Sequence, residues 1–397
     1  MKLLFTSLFS IIAMFPFPPA PCVYHQERTA SVSRGSSPCI LAKKIRVKTN
    51  RNIELFGLMM QLDMGPDLAT SKDSVTIENR KSTWREWYAM TYKNYLRYKK
   101  FDSCAMMQRY RELVGKKYYN DFFIGFLLQV DEVPFAKINA GTDKETLLAF
   151  SPTGDYGEAT KNATAFLQEF NKFYALLHFG SYLEENNRFY ELIQSDVRRN
   201  LPDSFFIPVM EGFYGKSFNA YYLIPSLNIP TSQGFGKMNK TSRTIYNTFG
   251  PFSFQTFDKR HPELGFDYPE KIARLSVHEF GHSFVNPAID KLPDELKSST
   301  EYLYQPIKED MSKSAYTNWT MCLYEHFVKA GEVIVARKLG HPAEADKMLQ
   351  DCVRARFIYV PFIVKELERY DAGTDPGKNY DDFIKTVLED LKEANKS

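Results

Sequence analysis

The chain has 397 residues, of which 44% are hydrophobic and 25% charged, and its net charge is +3. This composition is typical of a globular protein with two domains or one large domain, and it excludes a disordered chain. The small net charge, without a dense Lys/Arg stripe interleaved with aromatic residues, also argues against a nucleic-acid partner.

The N-terminal segment predicts export. Lys2 is followed by an apolar run, residues 3–15, which is broken only by small hydroxyl residues. This length and order are typical of a secretory signal and too short for a spanning helix. We therefore assign residues 1–22 to a signal peptide and 23–44 to a Ser-, Pro- and basic-rich linker, and we expect a secreted or periplasmic protein with no membrane span. Cys22 could carry a lipid anchor at a relaxed lipobox, although the proline directly before it disfavours this.

The cysteines give little information about the fold. The chain has five, at Cys22, Cys39, Cys104, Cys322 and Cys352. Because they contain no C-x-x-C pair and no dense spacing, they predict neither a disulfide scaffold nor a sulfur-based metal site. In an oxidising compartment Cys22 and Cys39 could bridge the N-terminal segment.

Residues 45–200 predict a mainly helical N-terminal part. The runs with helical spacing of apolar residues are NIELFGLMMQL, WREWYAMTYKNYL, SCAMMQRYRELVGKKYY, NATAFLQEFNKFYALLHF and YLEENNRFYELIQSDVRR. The run FFIGFLLQV is apolar throughout, so periodicity alone fits a strand or a helix.

Residues 201–397 are predicted to form the catalytic part, for the following reasons. The short aromatic or β-branched runs DSFFIPVMEGFYG, NAYYLIPSL and SRTIYNTFG are separated by turn residues and predict strands. A helix with two histidines follows, and the pattern is helical from Pro293 to the end. We therefore predict an α+β fold, mostly helical, with a small sheet before the histidine helix and a helical C-terminal part, the order expected of a zincin-like metallopeptidase.

One of the predicted strands is expected to lie at the edge of the sheet and to hold an extended substrate by strand addition. The candidates are NAYYLIPSLNIP, in which Pro225 indicates an edge, and SRTIYNTFG. A role in the sheet core alone is the alternative, and the sequence leaves both open.

The motif LSVHEFGHSFVNP, residues 275–287, contains His278, Glu279 and His282 in H-E-x-x-H spacing. On a helix, residues four apart lie one turn apart on the same face, so the two imidazoles can bind one ion. The pattern therefore predicts a metal-binding helix.

The flanks of the motif also predict a helix. Asp267 and Glu270 are spaced as a capping box, with Pro269 tolerated in the first turn. The proline at 287 predicts the helix end at residue 286. Gly281 costs a helix roughly 1 kcal/mol relative to alanine, and we expect another backbone or a ligand to approach it closely.

Two neutral imidazoles and a carboxylate form a catalytic zinc site with one position open for water. Zinc lowers the pKa of a bound water from 15.7 to about 7. Glu279 projects about 100° around the helix from His278, so it can accept a proton from that water and pass it to a leaving amine. These residues predict a Zn²⁺-dependent peptidase acting on a peptide or protein substrate.

Two glutamates compete to be the third ligand. Glu301 lies 19 positions after His282, which is the H-E-x-x-H-x18-E spacing of a large aminopeptidase family. Glu325 lies in NWTMCLYEHFVKAGEVIVARKLG, a predicted helix with Gly340 as its stop, on a face with apolar neighbours. A carboxylate on such a face is costly to bury without a partner, whereas Glu301 lies in a polar, solvated segment. We favour Glu325 and interpret His326 as a packing group.

An oxyanion-stabilising group is also expected near the metal. Among 24 tyrosines the sequence selects none. Tyr316 and Tyr324 are the nearest in the chain to Glu325.

HEFGHSFVNP followed by YEHFVKAGE resembles a family of secreted bacterial proteins classed as a domain of unknown function, whose motifs are similar to those of gluzincin-type zinc peptidases. The resemblance extends from about residue 45 to the C-terminal helices. It implies zinc on His278, His282 and Glu325, with Glu279 as the base. The segment STEYLY departs from the large aminopeptidase pattern, because it lacks the Asn-Glu that usually carries the third ligand there.

Two other functions remain open from the sequence. One is hydrolysis of an amide other than a peptide, and the other is an inactive cell-envelope binding protein with the same fold. Glu279 argues against the second, because only catalysis requires it.

Overall fold

The computed structural model describes residues 45–395 except 78, 115–117, 203–204, 259, 315 and 374–378. The predicted signal peptide (1–22) and linker (23–44), with Cys22 and Cys39, lie outside the described residues. Within the described residues, every helix is too short or too polar to cross a bilayer.

The first part of the chain is helical, as its apolar spacing predicts, and the ambiguous run FFIGFLLQV is also a helix, α5. The elements are β1 (Ile45–Val47), α1 (Arg51–Thr70), β2 (Ser74–Ile77), β3 (Arg80–Thr83), α2 (Trp84–Trp87), α3 (Ala89–Tyr98), α4 (Ala105–Leu113), α5 (Asn120–Leu127), α6 (Lys144–Leu148), α7 (Tyr156–Leu176), α8 (Phe179–Glu185), α9 (Asn187–Arg199) and α10 (Phe206–Tyr214). A 3₁₀ turn, Lys99–Phe101, follows α3.

The strand prediction for DSFFIPVMEGFYG is wrong, because residues 206–214 of this segment form α10. Pro208 lies in the first turn, where a backbone N–H has no intrahelical partner to lose. Gly215 ends the helix in the left-handed conformation, with φ 65°. The buried side chains recur at helical spacing: Phe206, Ile207, Met210, Phe213 and Tyr214.

A four-stranded sheet forms the centre of the molecule. Its remaining strands are β4 (Ala220–Pro225), β5 (Gly234–Asn239) and β6 (Thr244–Phe249), and the order is β1-β4-β6-β5. β1, β4 and β6 are parallel, and β5 runs antiparallel to β6. β2 and β3 form a separate hairpin.

Both predictions of the edge strand are therefore wrong. NAYYLIPSL (β4) and SRTIYNTFG (β6) are strands, but each lies between two others, and the edge beside β6 is β5. Pro225 is the last residue of β4, so its missing N–H marks the strand end and not a free edge. β5 has the sequence GFGKMN, whose two glycines give almost no strand signal.

Helices make up the C-terminal part, as predicted. They are α11 (Pro269–Asp290), α12 (Asp294–Ser299), α13 (Lys308–Lys313), α14 (Trp319–Lys338), α15 (Pro342–Arg354), α16 (Val360–Asp371) and α17 (Tyr380–Ala394), with a 3₁₀ turn at Glu301–Ile307. The protein is thus α+β and mostly helical, with a small sheet.

The sheet separates two hydrophobic cores. Alternate residues of β4 point to opposite faces, so Tyr221 and Leu223 join the core that contains α11 and α14, and Ile224 joins the core that contains α1. α11 packs against β5, β6 and α14. The histidine helix is therefore held between the sheet and the C-terminal helices.

The last helix of the chain packs against α11 and α16. Its inner face is buried, and the Tyr380 ring stacks edge-on against Tyr214 with centroids 4.8 Å apart. Asp381 accepts a hydrogen bond from Lys291 at 2.9 Å, directly after the end of α11. α17 is therefore part of the support of the histidine helix.

The predicted flanks of α11 are partly wrong. Pro269 is the first helical residue, as expected, but the N-cap is Tyr268, which makes no side-chain cap bond. Asp267 instead bonds to Asn200 at 2.6 Å, so no capping box forms. The helix also continues past Pro287 to Asp290, although an interior proline costs roughly 3 kcal/mol. Burial of the residues that follow the proline, Ala288 and Ile289, offsets this cost.

Candidate metal centre

α11 and α14 bring three predicted ligands together. His278 and His282 come from consecutive turns of α11, and Glu325 comes from the facing side of α14. The two Nε2 atoms are 3.3 Å apart. The Glu325 Oε1 lies 3.3 Å from His282 Nε2, and Oε2 lies 3.7 Å from His278 Nε2. One ligand atom from each residue fits within a 4.8 Å group, which can hold a metal ion.

The other ring nitrogens are oriented by partners. His278 Nδ1 contacts a carboxylate oxygen of Glu332, and His282 Nδ1 lies 3.1 Å from Asn286 Oδ1. Because a carboxylate and an amide oxygen accept hydrogen bonds, both Nδ1 atoms carry the proton and both Nε2 lone pairs face the shared space. Two lone pairs at that separation repel each other unless a cation or a proton lies between them.

The charges in the centre favour a cation. Burial alone would lower the pKa of His282, but the Glu325 carboxylate raises it to about 9. Burial would raise the pKa of Glu325, but the imidazoles of His282 and His278 hold it well below its usual value. Glu325 is thus ionised, and it attracts positive charge to the point where the three residues meet.

The donor set fits a zinc ion. Two ligand atoms about 2.0–2.1 Å from one ion at a tetrahedral angle lie about 3.3–3.4 Å apart, which matches the separation of the Nε2 atoms. Glu325 Oε2 is buried and has no hydrogen-bond partner. An unpaired buried carboxylate oxygen is costly, and a metal ion held by the three residues would satisfy it.

The sequence of α14 explains why Glu325 faces α11. Asn318 caps the helix by accepting a bond from the Met321 N–H at 2.9 Å, and Gly340 follows its end with φ 84°, at the predicted stop. Glu325 and Glu332 lie seven residues, or about two turns, apart, and both side chains are buried. One helix face therefore supplies both carboxylates.

Sequence reasoning missed Glu332 and Asn286. Each had a signal in the chain: Asn286 lies one turn after His282, and Glu332 lies two turns after Glu325. These spacings have meaning only once the two helices are known to face each other.

Glu279 is buried beside β5 and is not one of the three grouped ligands. A Cβ at Gly236 would lie 2.4 Å from the Glu279 carbonyl oxygen and 2.8 Å from its Oε2. Only glycine fits there without displacement. The edge strand and the predicted base are therefore in direct contact.

Gly281 permits a different close approach from the one expected. A Cβ at this position would lie 3.3 Å from Val328 Cγ1 of α14. The neighbour is a side chain, neither a backbone nor a ligand. Gly281 thus allows α11 and α14 to pack closely enough for the three ligands to meet.

The competing residues lie elsewhere. Glu301 is exposed at the start of a 3₁₀ turn and is not part of the metal group. His326 is buried, its Nδ1 lies 2.7 Å from the Cys322 carbonyl oxygen, and its ring packs on Phe357. Burial lowers the pKa of His326 to about 4, so it is a neutral packing group.

The two tyrosines differ. Burial raises the pKa of Tyr316 well above its usual value, and the carboxylates of Glu325, which its hydroxyl contacts, and of Glu279 raise it further. Tyr316 is therefore a protonated hydroxyl at the metal centre. The Tyr324 hydroxyl instead donates to Asp290, away from the ligands.

Comparison with protein families shows which family the chain matches. A family model described as a domain of unknown function (DUF4932) matches residues 45–389. No curated protein and no solved structure matches the chain. The matched segment contains the sheet, α11 and α14, so the whole metal centre lies within it.

Proposed function

The chain belongs to the DUF4932 family, and we propose that it is a zinc-dependent metallopeptidase with a zincin-like catalytic part. One observation carries the proposal. His278, His282 and Glu325 converge through Nε2 and carboxylate atoms, while Glu279 stays outside this group and contacts an edge strand. A structural zinc site has four protein ligands and needs no additional glutamate such as Glu279.

The donor set favours zinc over other common ions. Two imidazoles and one carboxylate match catalytic zinc sites, whereas magnesium and calcium prefer oxygen ligands alone. Bound zinc would polarise a carbonyl group and lower the pKa of a water from 15.7 to about 7.

Glu279 is the proposed general base. Its carboxylate would accept a proton from the attacking water as the new carbon–oxygen bond forms. The same carboxyl group would then return the proton to the amine nitrogen as the carbon–nitrogen bond breaks. One water is consumed, and Glu279 ends in its starting state.

Tyr316 is the proposed oxyanion stabiliser. Its protonated hydroxyl contacts Glu325, and it would face the carbonyl oxygen on which negative charge develops. A buried donor placed there stabilises that charge more strongly than water would.

β5 is the proposed substrate-binding strand. In the described part of the chain it pairs with β6 alone, so its other edge can pair with an extended peptide. Gly236 sets this edge directly against Glu279. A peptide bond held along β5 would therefore lie beside the base, which favours a peptide over an unrelated amide.

We also propose that the protein is exported, on the strength of residues 1–22. Processing is expected between residues 13 and 30. N-terminal mass spectrometry of the native protein tests this, and an intact Met1 in the soluble protein would contradict it.

The test of the proposed activity combines metal content with hydrolysis of a mixed peptide library. We expect about one zinc per molecule. Glu279→Gln should keep the zinc and lose at least about a hundredfold in hydrolysis, because it removes the general base. Glu270→Gln, an exposed change in the first turn of the same helix, is the matched control and should keep both.

Three results would contradict the proposal. An equally active Glu279→Gln protein would require another base. A wild type that binds zinc but cleaves nothing would be a binding protein. A wild type that cleaves simple amides but no peptides would be an amidase of another class.

A further inference from the structure

A cleft lies outside the metal centre, between α3 and the segment that follows β6. Its volume is about 850 Å³, and no residue of the metal centre lines it. Its charged and aromatic lining consists of four cations, one carboxylate and three rings: Arg80, Arg85, Lys93, Arg97, Glu86, Tyr92, Phe254 and Phe257. We refer to it as the α3 cleft.

The cations of the α3 cleft are spread out, because they rest on different rings. The Arg80 guanidinium lies 4.4 Å from the Phe254 ring centroid, and the Lys93 Nζ lies 4.5 Å from that of Phe257. Arg85 lies over a third ring, Tyr92, at 5.3 Å. The Arg85 guanidinium is also held by the carbonyl oxygens of Leu68 and Ala69. A small anion would contact one of these cations, whereas a ligand with several spaced negative groups can contact more than one.

The cleft also has excess positive charge. Glu86 accepts bonds from Ser82 Oγ at 2.6 Å and the Thr83 N–H at 2.8 Å through one carboxylate oxygen, and its other oxygen lies 3.8 Å from Arg80. This single carboxylate does not balance the four cations of the lining. Arg97 pairs with Glu185 at 2.6 Å. Lys93 forms no ion pair within the described residues, and burial, together with repulsion from Arg97, lowers its pKa. An anionic partner would remove this repulsion.

The dimensions suit an extended peptide. The lining residues of α3 run from Ala89 to Arg97, which spans about 12 Å of helix. An extended chain covers that length with about four residues at about 3.3 Å each. Leu96, with 47% of its surface exposed, offers an apolar contact between the charges.

We propose that the α3 cleft binds an extended acidic peptide segment. Single-stranded nucleic acid fits less well, because its bases need open aromatic faces and a cation already covers each of the three rings. The choice of a polypeptide ligand rests on the proposed function. The binding itself needs neither zinc nor Glu279.

Fluorescence anisotropy tests the proposal with a labelled octapeptide of alternating Glu and Leu. The full exported chain with Glu279→Gln is used, so that the peptide is not cleaved. Raising NaCl from about 50 to about 500 mM should weaken binding at least about tenfold, because salt screens the charges. A peptide with Gln in place of Glu should bind at least about tenfold more weakly.

Variants locate the binding in the α3 cleft. Lys93→Met keeps much of the side-chain length but removes the charge, and we expect binding at least about fivefold weaker. Lys385→Met removes the same charge from α17, where the lysine lies on an exposed face, and binding should change by less than about twofold. Arg80→Gln, at a side chain 58% exposed, is a second variant with little risk to folding.

Equal binding of the Glu and Gln peptides would overturn the proposal. The proposal would also be overturned if Lys93→Met and Lys385→Met changed the peptide affinity equally and Arg80→Gln left it unchanged. Stronger binding of an oligothymidylate would assign the cleft to nucleic acid, and displacement of the peptide by millimolar inorganic phosphate would assign it to a small anion. Since every arm uses the Glu279→Gln chain, a failure here leaves the peptidase proposal untouched.

Discussion

Two buried glutamates lie in different parts of the molecule. Glu325 lies in the metal centre, and Glu54 lies on α1, with 7% and 1% of their surfaces exposed. Each has one carboxylate oxygen without a hydrogen-bond partner. They differ in their neighbours: Glu325 faces two imidazoles, whereas Glu54 accepts a bond from the Tyr190 hydroxyl at 3.0 Å.

The neighbours give the two carboxyl groups different charge states below neutral pH: Glu54 is protonated and neutral, whereas Glu325 is ionised. Burial raises the pKa of Glu54 to about 7, because hydroxyl and backbone donors only partly offset the loss of solvation. The imidazoles hold the pKa of Glu325 well below its usual value. Burial alone therefore does not identify a metal ligand. A metal ligand is identified by the groups that its carboxylate faces, here two imidazoles.

The difference between Glu325 and Glu54 is tested most directly by removing each carboxylate and measuring the affinity for zinc. Structural zinc sites with four ligands bind with about 10–16 kcal/mol, so one ligand contributes about 2.5–4 kcal/mol, or roughly 10²–10³ in affinity. Glu325→Ala should lose this affinity and the activity with it. Glu54→Gln and Glu301→Ala should keep the zinc affinity within a few-fold, as measured by chelator competition. If Glu301→Ala loses zinc instead, the aminopeptidase-type spacing identifies the ligand.

The second prediction concerns stability against pH. The folded state raises the pKa of Glu54 from 4.5 to about 7, so it binds a proton more tightly than the unfolded chain does. The stabilisation is complete below pH 4.5 and is lost as the pH rises towards 7. The loss is about 3 kcal/mol in the free energy of unfolding.

Glu54→Gln should remove this part of the pH dependence, because glutamine does not titrate. Urea unfolding of the zinc-loaded protein on both sides of the window measures it. Glu389→Gln, on the exposed face of α17, is the control and should follow the wild type. Parallel curves for wild type and Glu54→Gln would show that Glu54 is ionised in the folded protein.

A smaller effect is expected at the carboxylate that orients His278. Glu332→Gln should weaken zinc binding about 10–100-fold, the usual cost of losing such a partner. Glu366→Gln changes a carboxylate that is equally buried but paired with Arg369, and it should leave zinc affinity within about twofold. If both variants bind zinc alike, the contact with His278 has no role in metal binding.

The smallest effect is expected at Asn286. Its amide oxygen holds His282 Nδ1 at 3.1 Å, but a neutral acceptor makes a weaker bond than a carboxylate, by about half. Asn286→Ala should therefore cost only a few-fold in zinc affinity. A loss larger than that of Glu332→Gln would reverse the order of the two orienting contacts.

The local parts of the metal centre could be predicted from the sequence. The spacing of His278 and His282 has a meaning within one helix, and the apolar face of α14 singled out Glu325. The same rule, however, would also have selected Glu54 in the apolar run NIELFG. Only the packing of separate helices shows which carboxylate faces imidazoles and which faces a tyrosine.

The missed elements depend on such packing. β5 is a strand because it pairs with β6, and its Gly236 is explained by the approach to Glu279, which lies 43 positions later in the chain. α10 was misread because aromatic residues and a proline suggest strands, although its buried residues have helical spacing. Glu332 is informative only after α14 is placed against α11.

The support that α17 gives to α11 has a consequence for the order in which the protein matures. The ligands are all synthesised by residue 325, but residues 380–394 complete the packing behind the histidine helix. A growing chain therefore has its ligands long before it has the packing that positions them. We expect the nascent chain to be a poor zinc acceptor until residues 380–394 are in place, so that metal binding would follow the packing of α17 and not the synthesis of the ligands.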